Sequence, residues 1–424
     1  MMFQFRLLVC TALLVLMTSC GTPSSSTPAP PSVLPNVLVK VDGRVAVKRK
    51  ETTNFVPAGV GAQVEPGDLL RVEGGEAAIF CGNETLWDSG PLVLTAGKSR
   101  GVPCVAGRSA RSAPDLTRLR GETGPSVDNI PYVLSPRSGF VRSDRPTLRW
   151  HTLADTGVYT VTLAGDDGLE RPAVEASGGE LAYPDAWPSL AGEGASYRLV
   201  VQAGERSSEE EASGAAKPWG FSLLDPARVA QLQSQVDKLR KRRERPLGED
   251  ALTLLLAELY LSDAYKLRSE AAELLSGAAV KNLASAQVLL GKVYLEMGLI
   301  DEARTAFDRA LVLAQQAGLP EFEAGAEFGL GMAHLEMGLI DEAGTAFDRA
   351  LVLAQQAGLP EFEADAEFGL GMAACGRWDK GQAEAHWQAA HDKYAALGVV
   401  ERAQKAAAML GTVQAECTRP TRSP

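Results

Sequence analysis

A tandem duplication constrains this chain more than any other feature. Residues 295–334 (LEMGLIDEARTAFDRALVLAQQAGLPEFEAGAEFGLGMAH) recur at 335–374 with three differences: Arg304/Gly344, Gly325/Asp365 and His334/Ala374. A forty-residue unit cannot bury its apolar face alone, so copies stack and a continuous core runs along the stack. The apolar positions in the unit follow a helical period. Gly318-Leu319-Pro320 reads as one helix stopping at glycine and the next opening on proline. The C-terminal half is therefore expected to be an all-α solenoid of helix pairs.

Small and aromatic residues fall at fixed offsets within the units. Gly291, Tyr294, Ala303, Phe307 and Ala310 are followed by Gly331, Ala343, Phe347 and Ala350, then by Gly371, Ala383, Trp387 and Ala390. This G-x2-Y…A-x3-F-x2-A spacing resembles the tetratricopeptide repeat. The resemblance implies antiparallel helix pairs in which small residues allow close approach and the aromatic plugs the gap between neighbours. The usual period is about thirty-four residues, so these helices are expected to be longer by about a turn and a half in total. Ala251 to Gly277 reads as a degenerate earlier unit, Pro226 to Arg245 as a lead-in helix, and Val399 to Gln414 as the terminal cap of an array over 226–417. The last unit has Ala374 where the first has Tyr294, and Trp378 where the others have Gly298 and Gly338, so its loop is expected to be rearranged.

In the family, the inner face of the first helices accepts an extended or helical peptide. The matching positions are Ser285, Val288, Lys292 and Leu295, then Gly325, Phe328, Met332 and Leu335, then Asp365, Phe368, Met372 and Cys375. Two readings of the aromatics stand side by side. An adaptable Phe/Met groove would suit apolar anchors on a partner peptide. Alternatively, the longer helices bury Phe328 and Phe368 in packing between repeats.

Upstream, the pattern is β. From Asn36 to Val105, short alternating runs (Val37–Val41, Arg44–Val47, Leu69–Val72) are punctuated by Asp42-Gly43, Pro66-Gly67-Asp68 and Gly74-Gly75. The Val41-Asp42-Gly43-Arg44-Val45 run, with Pro66-Gly67-Asp68-Leu69-Leu70-Arg71-Val72 and Ala77-Ala78-Ile79-Phe80, resembles a FecR-type domain, an extracytoplasmic β-module. Regulators of that type also have a cytoplasmic segment acting on a sigma factor. No such segment is read here, so anti-sigma signalling does not carry over. Residues 106–130 read as an Arg/Ser/Gly-rich linker. Residues 131–224 read as a second module, similar in pattern to an immunoglobulin-like sandwich, with Trp150 on a strand as a core residue. The expected fold class is thus two all-β modules, FecR-like and immunoglobulin-like, followed by an all-α tetratricopeptide-type solenoid.

The N-terminus bears on the address. Residues 1–19 place Arg6 before an apolar run from Leu7 to Met17, too short for a comfortable membrane span of ~20 residues and suited to an export signal. Met17-Thr18-Ser19-Cys20-Gly21 resembles a bacterial lipobox, with Met17 where leucine is commoner. The resemblance implies a diacylated Cys20 and a membrane-anchored lipoprotein of the cell envelope. A plain cleaved signal with an incidental cysteine is the alternative. Residues 20–35 are a Ser/Thr/Pro tether, able at about 3 Å per residue to hold the modules tens of ångströms from a bilayer. An oxidising compartment then allows disulfides among Cys81, Cys104, Cys375 and Cys417. Cys81 and Cys104 share one β-module and are the favoured pair, with Cys375 and Cys417 a second candidate.

No catalytic motif is found. Ala96-Gly97-Lys98-Ser99 ends like a P-loop, but Leu92 stands where the leading glycine belongs and no helix follows. His386 and His391 are five apart and do not share a helix face, so no metal site and no cofactor are expected. The formal net charge is −11 and argues against nucleic acid. Residues 290–375 contain fifteen carboxylates and four cations, so the acidity belongs to the repeats and predicts a protein partner with a basic segment. Lys238 to Arg245 holds six cations; it reads as a solvated helix end, as a contact for anionic lipid or an acidic protein surface, or as such a segment on a second copy, which would make self-association salt-sensitive. The reading that follows is a non-enzymatic, membrane-tethered envelope scaffold binding protein through its array. A cell-wall or polysaccharide binder acting through the β-modules is the alternative, and an envelope sensor a third.

Overall fold

The computed structural model describes residues 34–50, 52–82, 92–97, 99–102, 104, 129–191, 194–212, 219–241 and 248–417. The signal, Cys20, the tether up to residue 33, most of the 106–130 linker, Lys98 and Arg242–Arg245 lie outside the described residues, while Leu34 at the tether's end is buried in the first module.

Among the described residues seven short strands come first: β1 (Val37–Val41), β2 (Arg44–Lys48), β3 (Val56–Pro57), β4 (Leu69–Glu73), β5 (Glu76–Phe80), β6 (Leu92–Thr95) and β7 (Arg100–Gly101). They form two sheets, ordered β1-β5-β6 and β3-β2-β4-β7. The sheets meet where two tight turns cross. Gly43 has φ +86° and lies so close to the backbone of Gly74 that a Cβ there would sit 1.7 Å from its carbonyl oxygen. Cys81, just past β5, is disulfide-bonded to Cys104.

The second module contains β8 (Val133–Ser135), β9 (Gly139–Val141), β10 (Leu148–Trp150), β11 (Tyr159–Gly165), β12 (Val174–Ala176), β13 (Glu180–Leu181), β14 (Ser196–Ala203), β15 (Arg206–Ser207) and β16 (Phe221–Leu223). One sheet runs β13-β10-β8; the other runs β12-β11-β14-β16-β9, with β15 hairpinned onto β14. Inward-facing Trp150, Tyr159, Val161, Leu163, Tyr197 and Val201 fill the space between them, as alternation along each strand requires.

Among the described residues ten helices follow: α1 (Pro226–Lys241), α2 (Glu249–Leu261), α3 (Arg268–Ser276), α4 (Ala284–Met297), α5 (Ile300–Ala317), α6 (Pro320–Glu336), α7 (Ile340–Ala357), α8 (Pro360–Gly376), α9 (Lys380–Ala396) and α10 (Val400–Glu416). Helices α4/α5, α6/α7 and α8/α9 are the three full units, each helix packed on the next. Pro320 and Pro360 occupy the first turn of α6 and α8, where a missing N–H costs nothing. Gly298, Gly318, Gly338 and Gly358 take left-handed φ between +61° and +75° at the helix ends, where a side chain would be strained.

The repeat core is built from aromatic plugs seated on glycines. A Cβ added at Gly291 or Gly329 would meet the Phe307 ring, one at Gly331 or Gly369 would meet Phe347, and one at Gly371 would meet Trp387. The last unit corrects one expectation. Trp378 adopts φ +64°, matching Gly298 and Gly338, and α9 begins in register at Lys380. The loop is therefore conserved in shape, and tryptophan accepts the left-handed backbone in place of glycine, at a cost of about 1–2 kcal/mol. Cys375 is disulfide-bonded to Cys417, tying α8 to the end of α10.

The β-modules are not separate beads. Leu38, Val45, Val64 and Leu70 of the first share one apolar cluster with Ala284, Val288, Ala310, Ala314, Phe322 and Ala326 of the array. Tyr132, at the start of the second, clusters with Met297, Leu299 and Ala306.

Candidate functional site

The first helices of the units, α4, α6 and α8, line one face of the array, with α2 and α10 at its two ends. The first β-module covers part of this face. Gly59 abuts Leu319, Gly61 abuts Ser285, and Thr52 abuts Gly358. Val56 packs with Ala354, Ala357, Leu359 and Phe362.

An ion cluster locks the contact. Arg49 donates from Nη1 to Asp68 Oδ2 at 2.9 Å and to the Gln63 carbonyl at 2.6 Å, and from Nη2 to Glu321 Oε2 at 2.8 Å. Burial holds the Glu321 carboxyl above its usual range although Arg49 pulls it down. Nearby Glu65 is pushed up to about 7, first by desolvation and then by the charges of Asp68 and Glu361.

Two cavities remain on this face. One, of about 120 Å³, lies between the first β-module (Val37, Leu38, Val39, Gln63) and Ser285, Val288, Lys292, Glu321, Phe362 and Asp365. The other, of about 140 Å³, is lined by Lys292, Leu295, Phe328, Met332, Phe362, Asp365 and Phe368, with Leu261, Arg268, Tyr394, Arg402 and Lys405. Six of the sequence-derived groove residues thus meet around one space: Lys292, Leu295, Phe328, Met332, Asp365 and Phe368.

The remaining candidates go elsewhere. Leu335 and Met372 turn into the core between repeats, together with much of Met332 and Phe368. Gly325 is a close-packed position facing Phe362, and Cys375 is committed to its disulfide. Phe328 is half-buried, its ring 5.5 Å from that of Phe347. Phe368 is mainly packing, while Phe328 is packing on one side and cavity wall on the other.

The charge of the face also differs from a simple acidic groove. Asp365 accepts from Arg402 Nη1 at 2.8 Å and from the Tyr394 hydroxyl at 2.5 Å, and Glu361 accepts from Arg402 at 2.9 Å. The Asp365 charge, with that of Glu361, holds the Arg402 guanidinium above its ordinary value, and burial raises the Tyr394 hydroxyl. Glu363 pairs with Lys393, Glu367 with His386 and Glu296 with Arg268. Glu296, Glu361, Glu363 and Asp365 of this face are thus neutralised by cations of the same chain. Exposed Asp308, Glu342 and Asp348 lie instead on the second helices.

Sequence reasoning missed Arg49, Tyr394, Arg402 and Lys405. They lie outside the duplicated unit, so no periodicity marks them. The Gly325/Asp365 difference was the available signal, because a carboxylate placed where its copy has glycine needs a new partner. Among the described residues, no group of three or more His, Cys, Asp or Glu is arranged to hold a metal ion. No helix among them is long and apolar enough to cross a membrane.

The arrangement defines a β-capped array of tetratricopeptide type. A family model described as a tetratricopeptide repeat matches residues 284–316, which are α4 and nearly all of α5. No curated protein matches the chain. Among solved structures it is similar to that of MamA protein, at 22% identity over 39% of this chain and 84% of that one, with a TM-score of 0.30. It is similar to BtubC (BKLC) from P. vanneervenii at 19% identity, over 47% of this chain and 95% of that one, with a TM-score of 0.32. A third likeness is to YrrB, titled a TPR protein with an unusual peptide-binding site, at 19% identity over 42% and 86% of the two chains and a TM-score of 0.29.

Proposed function

We propose that this chain is a non-enzymatic scaffold of a bacterial cell envelope, exported, anchored through a diacylated Cys20, and binding a protein partner on the uncovered part of its groove face. The observation that supports this best is the 140 Å³ cavity walled by Leu295, Phe328, Met332 and Phe368, left open beside the part the first β-module fills. With the neighbouring charges paired, what the cavity offers an incoming segment is apolar surface, suited to a leucine-like or aromatic anchor. A basic flank on that partner would be drawn by the net negative charge of residues 290–375, and its contribution would fall as salt rises. The Cys81–Cys104 and Cys375–Cys417 bonds accord with an oxidising compartment. Wall or polysaccharide binding through the β-modules is less favoured, because the first module commits apolar surface to the array.

The test uses the full chain, since removing the first module would bare its apolar seat. Immobilised protein is expected to retain a defined envelope protein that Phe328→Ser releases, and Cys20→Ser should move the protein from the membrane to the soluble fraction. Retention unchanged by Phe328→Ser would end the groove assignment, and membrane association unchanged by Cys20→Ser would end the lipid anchor.

A further inference from the structure

The duplication provides an internal comparison. The nine residues Leu295–Ala303 recur without change as Leu335–Ala343 (LEMGLIDEA), and each copy makes the same turn between the two helices of its unit. Leu299 N donates to Tyr294 O and Leu339 N to His334 O, both at 2.8 Å, while Gly298 and Gly338 have φ +70° and +75°.

The first copy is covered by the second β-module. Arg137, fully buried, donates to the Met297 and Gly298 carbonyls that the helix end leaves exposed. Its guanidinium lies 4.5 Å from the centre of the Trp219 ring, and that ring presses on Gly298. The Tyr132 hydroxyl donates to Glu302, and Leu299 is left 2% exposed.

The second copy has no such cover among the described residues. Leu339 is 38% exposed, Glu342 faces solvent, and no donor from the described residues reaches the Met337 or Gly338 carbonyl. One repeat further along the same edge, Trp378 is 41% exposed in a left-handed conformation that glycine would adopt without strain. A strained, exposed aromatic is a feature of recognition sites more than of folding sites.

We infer that the Met337–Glu342 turn, with Trp378 beside it, is a second docking site, and that it takes a protein segment presenting an arginine next to an aromatic ring. The occupant's chemistry is read from the identical seat: a guanidinium for the two helix-end carbonyls, a ring over Gly338, and a hydroxyl or cation for Glu342. The exposed Glu342 carboxylate favours such a segment, while Asp341 already lies 3.9 Å from Arg377 Nη1. This site lies apart from the groove and does not depend on it.

The probe is a fluorescein-labelled peptide of residues 130–141 (IPYVLSPRSGFV), which holds the chain's own Tyr132 and Arg137, titrated into the full chain by fluorescence polarisation. Saturable binding is expected, with a dissociation constant of about 0.1–1 mM for so short a segment, weakened about tenfold by Leu339→Asp, by Glu342→Lys and by Arg137→Gln within the peptide. These changes in the protein are at the surface, so its melting temperature should not move. Absence of binding overturns the inference. Binding that survives Leu339→Asp overturns it too, because the peptide would then be exchanging with the covered first seat. Sedimentation showing that Leu339→Asp converts a dimer of the chain to monomer would assign the edge to a second copy and overturn the proposed partner class.

Discussion

Replacing Arg49 by methionine would remove the cation bonded to two carboxylates that the fold has nearly withdrawn from water. The Asp68 and Glu321 side chains are 3% and 9% exposed, and Arg49 itself is 17% exposed. Methionine keeps much of the apolar stem, so the lost energy is electrostatic: two charge-assisted hydrogen bonds and one to the Gln63 carbonyl. Leaving a buried charge uncompensated costs about 3–5 kcal/mol. The first β-module and the array share one core, so the loss should appear in a single unfolding transition followed by tryptophan fluorescence in urea. The pH dependence supplies the internal control. Glu321 already sits above its ordinary value because burial outweighs Arg49, and removing Arg49 raises it further. A carboxyl whose folded value exceeds its unfolded one binds protons preferentially in the native state. Stability is then greatest below the unfolded value and is lost as pH rises through the folded one. Arg49→Met should therefore be most destabilising at pH 8 and partly restored toward pH 5, and adding Glu321→Gln should recover about 1–3 kcal/mol at pH 8. A loss below about 1 kcal/mol, or one that does not vary with pH, would refute the reasoning and leave the module held by apolar packing alone.

The other expectations concern single sites. Glu65→Gln should flatten the loss of stability that Glu65, pushed up to about 7, imposes between its unfolded value and that pH. Because Glu65 is exposed, screening limits the gain at pH 8 to about 1 kcal/mol, measured by urea titration at pH 5 and pH 8. Gly331→Ala places a Cβ 2.5 Å from the Phe347 ring and should cost about 1–3 kcal/mol by denaturation, with unchanged stability contradicting the plug arrangement. Trp378→Gly relieves the left-handed backbone and should raise stability by about 0.5–1 kcal/mol, read as a higher melting temperature, while weakening any partner held at that edge.

The helices were legible because each is set by local signals. Gly318 before Pro320 marks a boundary in the sequence, and the Gly331–Phe347 spacing marks a plug, since both act within one unit. The groove was legible only in part. Lys292, Leu295 and Phe328 line the cavity as the repeat pattern implied, but Met372 and Leu335 follow the same offsets and turn into the core. Helix periodicity specifies a face. How far that face is buried depends on neighbours the period does not describe.

Charge shows the same division. The sequence alone placed fifteen carboxylates in residues 290–375, yet it could not say that Arg49 would neutralise Glu321 from 272 residues away, or that Arg402 would take Glu361 and Asp365. Ion pairing depends on through-space distances, which are set only when remote segments pack. The two LEMGLIDEA copies make the point most directly. Their sequence determines one turn, one set of exposed carbonyls and one apolar side chain, and both copies build it alike. Tertiary structure alone decides that Leu299 is covered by Tyr132 and its module while Leu339 meets solvent, because a solenoid repeats its surface and a flanking domain covers that surface at only some of the repeats.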